Sequence, residues 1–444
     1  MTFGKFNVDY EQRIYNPERM KQYRLDRAQA MLKKYGLGAM IVYDFDDFRY
    51  LGYYIWHNYK RRRPGTFLVL IKDQGWPFCP KVNKETGEYI LMPYLRDKMI
   101  LQHQPSIQAG MPSLDEEYNT KQWAAMADEV KSLLQQYHVD NLPVGIDVHF
   151  GLHSVDALRK VGLNVVDGNP AMAEARMIKN EDEIECLRTA GAITEAAHWA
   201  ACKALKPGLT EWEVCGVVAK ALFDGGAEEL EGPSFIADSG PNFGYYGVRT
   251  PTDRVIRPGD FFVLDINGVS FQGYRTCFYR TYCVGDKPTE KQKAIYQDCY
   301  ERQSSMERNV KPGLSSHDVI KNILEEGGGK WPGSTTGSAF EFAGKKWGPT
   351  WPEPGYYGGV TGGHQLGLAS GDPGPSISPV HPPFTIEKGM VFAREVGVRE
   401  WDGSKWLYDG CKLENTGVVT ENGWENFYRF PYDKLITVGL PGIY

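Results

Sequence analysis

The sequence predicts a two-domain protein of mixed α/β (α+β) class, with an α/β domain over residues 1–175 and an internally duplicated domain over 176–444. Two patterns predict it. In the first part, short apolar runs alternate with helical periodicity, as strands covered by helices read. In the second, Lys206-Pro-Gly-Leu-Thr-Glu-Trp-Glu-Val214 returns as Lys311-Pro-Gly-Leu-Ser-Ser-His-Asp-Val319, each after a helical stretch. Such an echo suggests two copies of one half-domain related by a pseudo-two-fold. A length of 444 residues also favours two cores over one.

The elements follow in order. Residues 17–35 place Met20, Tyr23, Leu25, Ala28, Met31 and Leu32 near one helical face. Ala39–Tyr43 and Thr66–Ile71 read as buried strands. A helix near 122–137, a strand Val144–Val148, a helix near 153–160 and a strand Leu163–Val166 complete the alternation. No phosphate-cradling glycine loop follows any of these strands, so nucleotide binding is not supported. A boundary falls near 170–180. Beyond it Asn180 caps a long helix to about Leu205, with Glu181 and Asp182 at its positive end. In the repeated motif Pro-Gly ends one helix, Thr210 or Ser315 caps the next, and Glu213 or Asp318 completes a capping box.

Composition excludes several partners. An apolar fraction of 42% and a charged fraction of 24% are those of a soluble globular protein. A net charge of -6 with interspersed signs argues against nucleic acid. The one dense basic run, Lys60-Arg-Arg-Arg63, precedes Pro64-Gly65 and reads as a solvated loop, or else as an anion or subunit contact. No apolar stretch is long enough to span a bilayer, the first residues lack a signal-peptide layout, and the eight cysteines stand singly. These features fit a reduced, cytoplasmic protein acting on a small molecule.

The chemistry lies in the second domain. Asp265 ends the apolar run Phe261-Phe-Val-Leu, Glu395 follows Met390-Val-Phe-Ala, Glu414 follows the Asp409-Gly410 turn, and His364 sits in Gly-Gly-His. Carboxylates on neighbouring strands are costly to bury together unless a cation or a proton holds them. A divalent metal with His, Asp and Glu ligands is the simplest solution.

These segments resemble the family of methionine aminopeptidases, Xaa-Pro peptidases and creatinases. So do Tyr23-Arg-Leu-Asp-Arg, Gly38-Ala-Met-Ile-Val-Tyr-Asp, Arg176-Met-Ile-Lys-Asn-Glu-Asp-Glu-Ile184, Ser239-Gly-Pro-Asn242, Thr252-Asp-Arg-Val-Ile-Arg-Pro-Gly-Asp260 and Gly389-Met-Val-Phe. The resemblance covers nearly the whole chain. It implies a creatinase-like first domain and a pseudo-symmetric "pita-bread" catalytic domain, often in a homodimer with first-domain residues reaching the partner's pocket. It implies that Asp265 chelates one metal, that His364 and Glu395 bind a second, and that Glu414 bridges both. The other bridging aspartate of the family falls at Cys277, ahead of Arg280-Thr281. Two further family histidines are missing: Phe243–Arg249 contains none, and neither does Gln365–Asp372.

With twelve residues from Asp265 to Cys277, one more than in typical peptidases, and with Trp56-His57-Asn58, the chain is most similar to the branch holding the dimethylsulfoniopropionate lyases. There the positions of Asn267 and Cys277 carry aspartates, and an aspartate soon after the metal histidine acts as base. Asp372 and Tyr357 are the candidates for that role here. A thiolate beside imidazole and carboxylate suits zinc or iron better than manganese or magnesium. Cys277 read as a plain buried residue leaves one metal on His364, Glu395 and Glu414; two ions, or none as in creatinase, are the other readings.

The leading expectation is a lyase cleaving a C–S, C–N or C–O bond of a small polar carboxylate by metal-assisted elimination. The alternatives are an Xaa-Pro dipeptidase-like metallohydrolase, and a metal-free hydrolase or binding protein. Trp347, Trp351, Tyr356 and Tyr357 offer either an aromatic cage for an onium group or a packed loop.

Overall fold

The computed structural model describes residues 14–52, 67–80, 99–101, 114–147, 152–228, 235–240, 251–328, 340–342, 345–347, 355–358, 363–369, 371–379, 381–404 and 406–440. The basic run Lys60–Arg63, Trp56-His57-Asn58, Phe243–Arg249 and Trp351 lie outside these residues, and for Trp347, Tyr356 and Tyr357 only the strand is described. The described residues form two compact units, one within residues 16–177 and one within residues 178–444. No helix among the described residues is long and apolar enough to cross a membrane.

In the first unit, helix α1 (Pro17–Lys34) starts on Asn16, whose side chain accepts from the Glu18 and Arg19 amides. It is followed by β1 (Ala39–Val42), α2 (Phe45–Gly52), β2 (Leu68–Ile71), α3 (Glu116–Gln136), β3 (Val144–Ile146), α4 (Leu152–Lys160), β4 (Val165–Asp167) and α5 (Asn169–Met177). The sheet order is β2-β1-β3-β4, antiparallel at β2 and parallel elsewhere, so the expected mixed sheet is present. The β1 and β2 residues are all buried, as strands covered on both faces require. Two helices escaped the sequence reading. Of these, α5 begins with Pro170 in its first turn and with the Asp167 carboxylate accepting from the Asn169 amide, signals that resemble a loop until the helix is seen.

The second unit repeats itself. Helix α6 (Glu181–Ala204) opens with a reciprocal capping box between Asn180 and Glu183. Then come α7 (Glu211–Gly225), β5 (Phe235–Ser239), β6 (Phe261–Ile266), β7 (Ser270–Phe271), β8 (Tyr274–Arg275) and β9 (Tyr279–Val284). Helices α8 (Glu290–Arg308) and α9 (Ser316–Glu326) precede β10 (Gly355–Gly358), β11 (His364–Gln365), β12 (Val391–Trp401), β13 (Trp406–Thr420), β14 (Gly423–Asn426) and β15 (Ile436–Val438).

The duplicated motif repeats its backbone work, but the expected capping box forms between Thr210 and Glu213 and not between Ser315 and Asp318, since Ser315 accepts from the His317 amide. Thr210 caps α7 and bridges Val255, while Ser315 caps α9 and bridges Thr385. The Gly208 amide donates to the Ile256 carbonyl at 2.9 Å, and the Gly313 amide to the Ile386 carbonyl at 2.8 Å. Gly208 and Gly313 both have positive φ, 96° and 86°, which explains the glycine after each proline. In each copy the chain then enters a strand, β6 or β12. One sheet runs β15-β9-β6-β5, and the other runs β10-β12-β13-β14 with β11 beside β12.

Arg280-Thr281 joins the two sheets. The Arg280 guanidinium, fully buried and 4.0 Å from the Phe278 ring centre, donates to the carbonyls of Tyr279, Glu414 and Phe430 and to Asn415 Oδ1. Thr281 Oγ1 donates to the Lys412 carbonyl and accepts from its amide. Strand β13 is thereby fixed to β9, which brings Glu414 to Cys277.

Candidate metal centre

Each predicted ligand has a defined place. Asp265, fully buried, is next to last in β6 and faces Tyr279 of β9. Glu395 of β12 lies directly opposite Glu414 of β13, a cross-strand pair of like charges that is unfavourable without a cation or proton. His364 pairs with Ala393. The glycine before it, Gly363, has φ 128°, and a Cβ there would stand 2.2 Å from the Ala393 carbonyl oxygen, so only glycine lets the histidine strand approach β12. His364 Nδ1 lies 3.0 Å from the Gln365 carbonyl; the tautomer that donates there leaves Nε2 as a ligand. Cys277 precedes β9, its carbonyl accepting from Thr416 Oγ1 at 2.8 Å and from the Tyr428 hydroxyl at 3.2 Å.

Three of the five come together. Ligand atoms of Cys277, His364 and Glu414 all lie within 4.8 Å of one another, and among the described residues this is the group that could hold an ion. Asp265 and Glu395 are neighbours of that group rather than members of it.

The electrostatics of the centre are those of a site short of positive charge. Both Glu414 carboxylate oxygens and Asp265 Oδ1 are buried without a hydrogen-bond partner among the described residues. Burial, and then the charges of Glu395 and Asp265, hold Glu414 well above the usual carboxylate range. Asp265 is raised mainly by burial, with Lys412 pulling the other way. Burial also raises the Cys277 thiol, assisted by Glu414 and Asp265. Burial thus favours the protonated forms of these groups, and a divalent ion would take the protons' place. The donor set of thiolate, imidazole and carboxylate fits zinc or iron.

The profile of metallopeptidase family M24 matches residues 185–421. The chain belongs to metallopeptidase family M24. Relatives include the probable dipeptidase PepE of Mycobacterium tuberculosis, 26% identical over 288 residues, 64% of this chain and 67% of that one. The Xaa-Pro aminopeptidase of Escherichia coli is 30% identical over 273 residues, 59% of this chain and 58% of that one. Among solved structures, dipeptidase PepE from Mycobacterium ulcerans superposes with a TM-score of 0.70 at 21% identity, covering 96% of this chain and 100% of that one. The Xaa-Pro dipeptidase from Bacillus anthracis gives 0.69 at 20%, covering 94% and 99%. The pita-bread fold expected from the motifs is therefore the fold of this M24 chain. These relatives carry peptidase names, which supports the hydrolase alternative above the lyase expectation.

Of the two base candidates, Asp372 has its carboxylate tied to Lys179 and the Ala369 amide, and for Tyr357 the strand alone is described. Asp372 forms a buried ion pair with Lys179 at 3.1 Å, and its other oxygen accepts from the Ala369 amide. Its backbone amide donates to the Gln365 carbonyl. The carboxylate is thus committed to holding the loop after His364. Tyr357 lies in β10 opposite Arg399.

Other quoted motifs are structural. Glu211, fully buried, accepts from the amides and hydroxyls of Ser239 and Thr252, and Arg254 pairs with Asp260 at 2.6 Å. Two residues at the centre were not picked out from the sequence, Tyr279 and Lys412. Both could have been found by strand periodicity, since each lies two positions from a predicted ligand and so on the same face.

Proposed function

We propose that this M24 chain is a metal-dependent hydrolase of small peptide-like substrates, working with one divalent ion held by Cys277, His364 and Glu414. The observation that carries it is the convergence of those three donor atoms within 4.8 Å beside unpartnered carboxylate oxygens. The peptidase names of its M24 relatives supply the substrate class. A bound ion would supply Lewis acidity toward the scissile carbonyl. Glu395, half-buried and facing Glu414, takes up the proton released as water attacks. Arg280, through the Glu414 carbonyl, and Thr416, through the Cys277 carbonyl, keep the ligands in register. Because Asp265 lies outside the donor group and no aspartate stands at position 277, the reading is of one ion, where M24 peptidases typically carry two.

The test is release of amino acids from a panel of Xaa-Pro and other dipeptides by zinc-loaded and iron-loaded protein, with and without chelator. Chelator-sensitive release supports hydrolysis. A second reading, elimination from a β-onium carboxylate, rests on the resemblance to the lyase branch carried by the twelve-residue spacing from Asp265 to Cys277. No release from any dipeptide, with alkene formed from dimethylsulfoniopropionate, would move the assignment to that reading.

A further inference from the structure

The two copies of the half-domain can be matched residue by residue. The Gly259 amide donates to the Val284 carbonyl and the Val284 amide to that of Asp260. In the other copy Gly389 donates to Val419 and Val419 to Met390. Gly259 and Gly389 share positive φ, 84° and 88°. Asp260 thus corresponds to Met390 and Val284 to Val419. Carried along the paired strands, the match sets Asp265 with Glu395, Tyr279 with Glu414, Asn267 with Gly397 and Cys277 with Lys412.

The last pair is informative. Where one copy puts the metal-binding thiol, the other puts an ammonium on the same face as Glu414. Lys412 faces Gly397, and the space where a Cβ would stand at 397 is 3.4 Å from Lys412 Cγ and 3.7 Å from Cε, so the missing side chain makes room for the lysine stem. Its Nζ lies 4.9 Å from the centre of the Tyr279 ring, and Tyr279 is the cross-strand neighbour of Asp265. The lysine therefore ends over the side of the centre where Asp265 stands outside the three-residue donor group. Its charge acts on both Asp265 and Glu414.

Resting on the reading that Cys277, His364 and Glu414 hold one ion, we infer that the Lys412 ammonium occupies the charge position of a second metal beside Asp265, so that the centre is built for one divalent ion plus one lysine. Asn267 Nδ2 donates to Asp265 Oδ2, and in the metal-free protein Asn267 Oδ1 accepts from the Cys277 thiol at 2.5 Å, so an amide already stands between Asp265 and Cys277 on that side. A second divalent ion there would meet a positive charge at close range with one carboxylate to hold it, an arrangement that Coulomb repulsion opposes.

The test is metal stoichiometry on the intact chain, by elemental analysis after zinc loading and desalting, for wild type, Cys277→Asp, and Cys277→Asp combined with Lys412→Met or with Lys412→Gln. The two lysine replacements guard against a fold defect in either one, and thermal melting identifies the folded variants. We expect about one zinc in wild type, about one in Cys277→Asp, and about two in the double variants. Two in Cys277→Asp alone, or one in both folded double variants, overturns the role of Lys412 and leaves the one-ion hydrolase standing. Two in wild type overturns the inference directly. An ion-free wild type overturns both the inference and the reading beneath it. Cobalt substitution adds a second readout: the thiolate charge-transfer band should be present in wild type and lost in every Cys277→Asp protein.

Discussion

The β6/β9 half of the centre and the β12/β13 half have one backbone and opposite chemistry. The first offers Asp265, Asn267, Cys277 and Tyr279; the second offers Glu395, Gly397, Lys412 and Glu414. In the first, Asn267 bonds both Asp265 and Cys277, and one Asp265 oxygen, Oδ1, is left without a partner among the described residues. In the second, two carboxylates face each other and Glu414 has no partner at either oxygen among the described residues. A duplicated scaffold therefore gives one half that is more nearly settled by its own hydrogen bonds, Asp265 Oδ1 excepted, and one that needs a cation. The donor group draws on both, taking Glu414 from the needy half, Cys277 from the settled half and His364 from between them in sequence.

The comparison is broken or kept most directly by paired variants. Glu414→Gln should lower zinc affinity by about a hundredfold or more and abolish chelator-sensitive hydrolysis, whereas Asp265→Asn, in the matched half, should keep zinc to within about threefold. Isothermal titration with zinc measures both. Equal losses in the two variants would mean that Asp265 is a ligand and that the halves are not unequal.

Next in size is the tie between the halves. Arg280 belongs to β9 but donates to Glu414 and Asn415 of β13. Arg280→Met should cost about 3 kcal/mol of stability, because it leaves buried carbonyls and Asn415 Oδ1 without donors. Denaturant unfolding of the metal-free protein measures it, and a loss under about 1 kcal/mol would show that packing rather than this guanidinium holds the strands together.

How much of this was legible in the sequence differs between the same two regions. The duplicated Lys-Pro-Gly-Leu-Thr/Ser motif revealed the repeat because caps and Pro-Gly turns are local devices that keep their residue types. Asp265, His364, Glu395 and Glu414 were legible because each sits at a fixed place relative to a strand or a glycine. Cys277 was legible only by its position ahead of Arg280-Thr281. Lys412 and Tyr279 share a strand face with ligands two positions away, which periodicity reveals, but their neighbours across the sheet are set by register, with Tyr279 against Asp265 and Lys412 against Gly397. Register between distant segments is a tertiary property. Asp372 shows the converse, a residue at a suggestive spacing after His364 whose partner, Lys179, lies far away in sequence.

The pH response should separate the metal-free from the loaded protein. Asp265 and Glu414 are raised above ordinary values of 3.8 and 4.5 in the metal-free fold, chiefly by burial. Below those ordinary values both carry protons folded and unfolded, and the fold bears no penalty. As pH rises through them, the unfolded chain ionises while the folded one keeps its protons, so the unfolded state gains and metal-free stability falls. Zinc binding displaces the protons of its ligands Glu414 and Cys277, so zinc affinity rises with pH. The melting temperature of the metal-free protein should therefore fall as pH rises above those ordinary values of 3.8 and 4.5, and less so for Glu414→Gln, while the stabilisation given by zinc grows. A metal-free melting temperature that rose with pH and was unchanged by Glu414→Gln would show that the needy half is satisfied without a cation.

The smallest effect belongs to the settled half. Asn267→Ala removes the amide that bonds both Asp265 and Cys277, without touching a ligand. The thiol loses its orienting acceptor, and zinc affinity should fall by about tenfold, the scale on which groups behind the ligands act. Asn267→Asp should do something different. It keeps an acceptor for Cys277 but turns a donor toward Asp265 into a second negative charge, so zinc should bind more tightly while metal-free stability drops. Equal zinc affinity in wild type, Asn267→Ala and Asn267→Asp would mean that Asn267 has no part in placing the Cys277 sulfur for the metal.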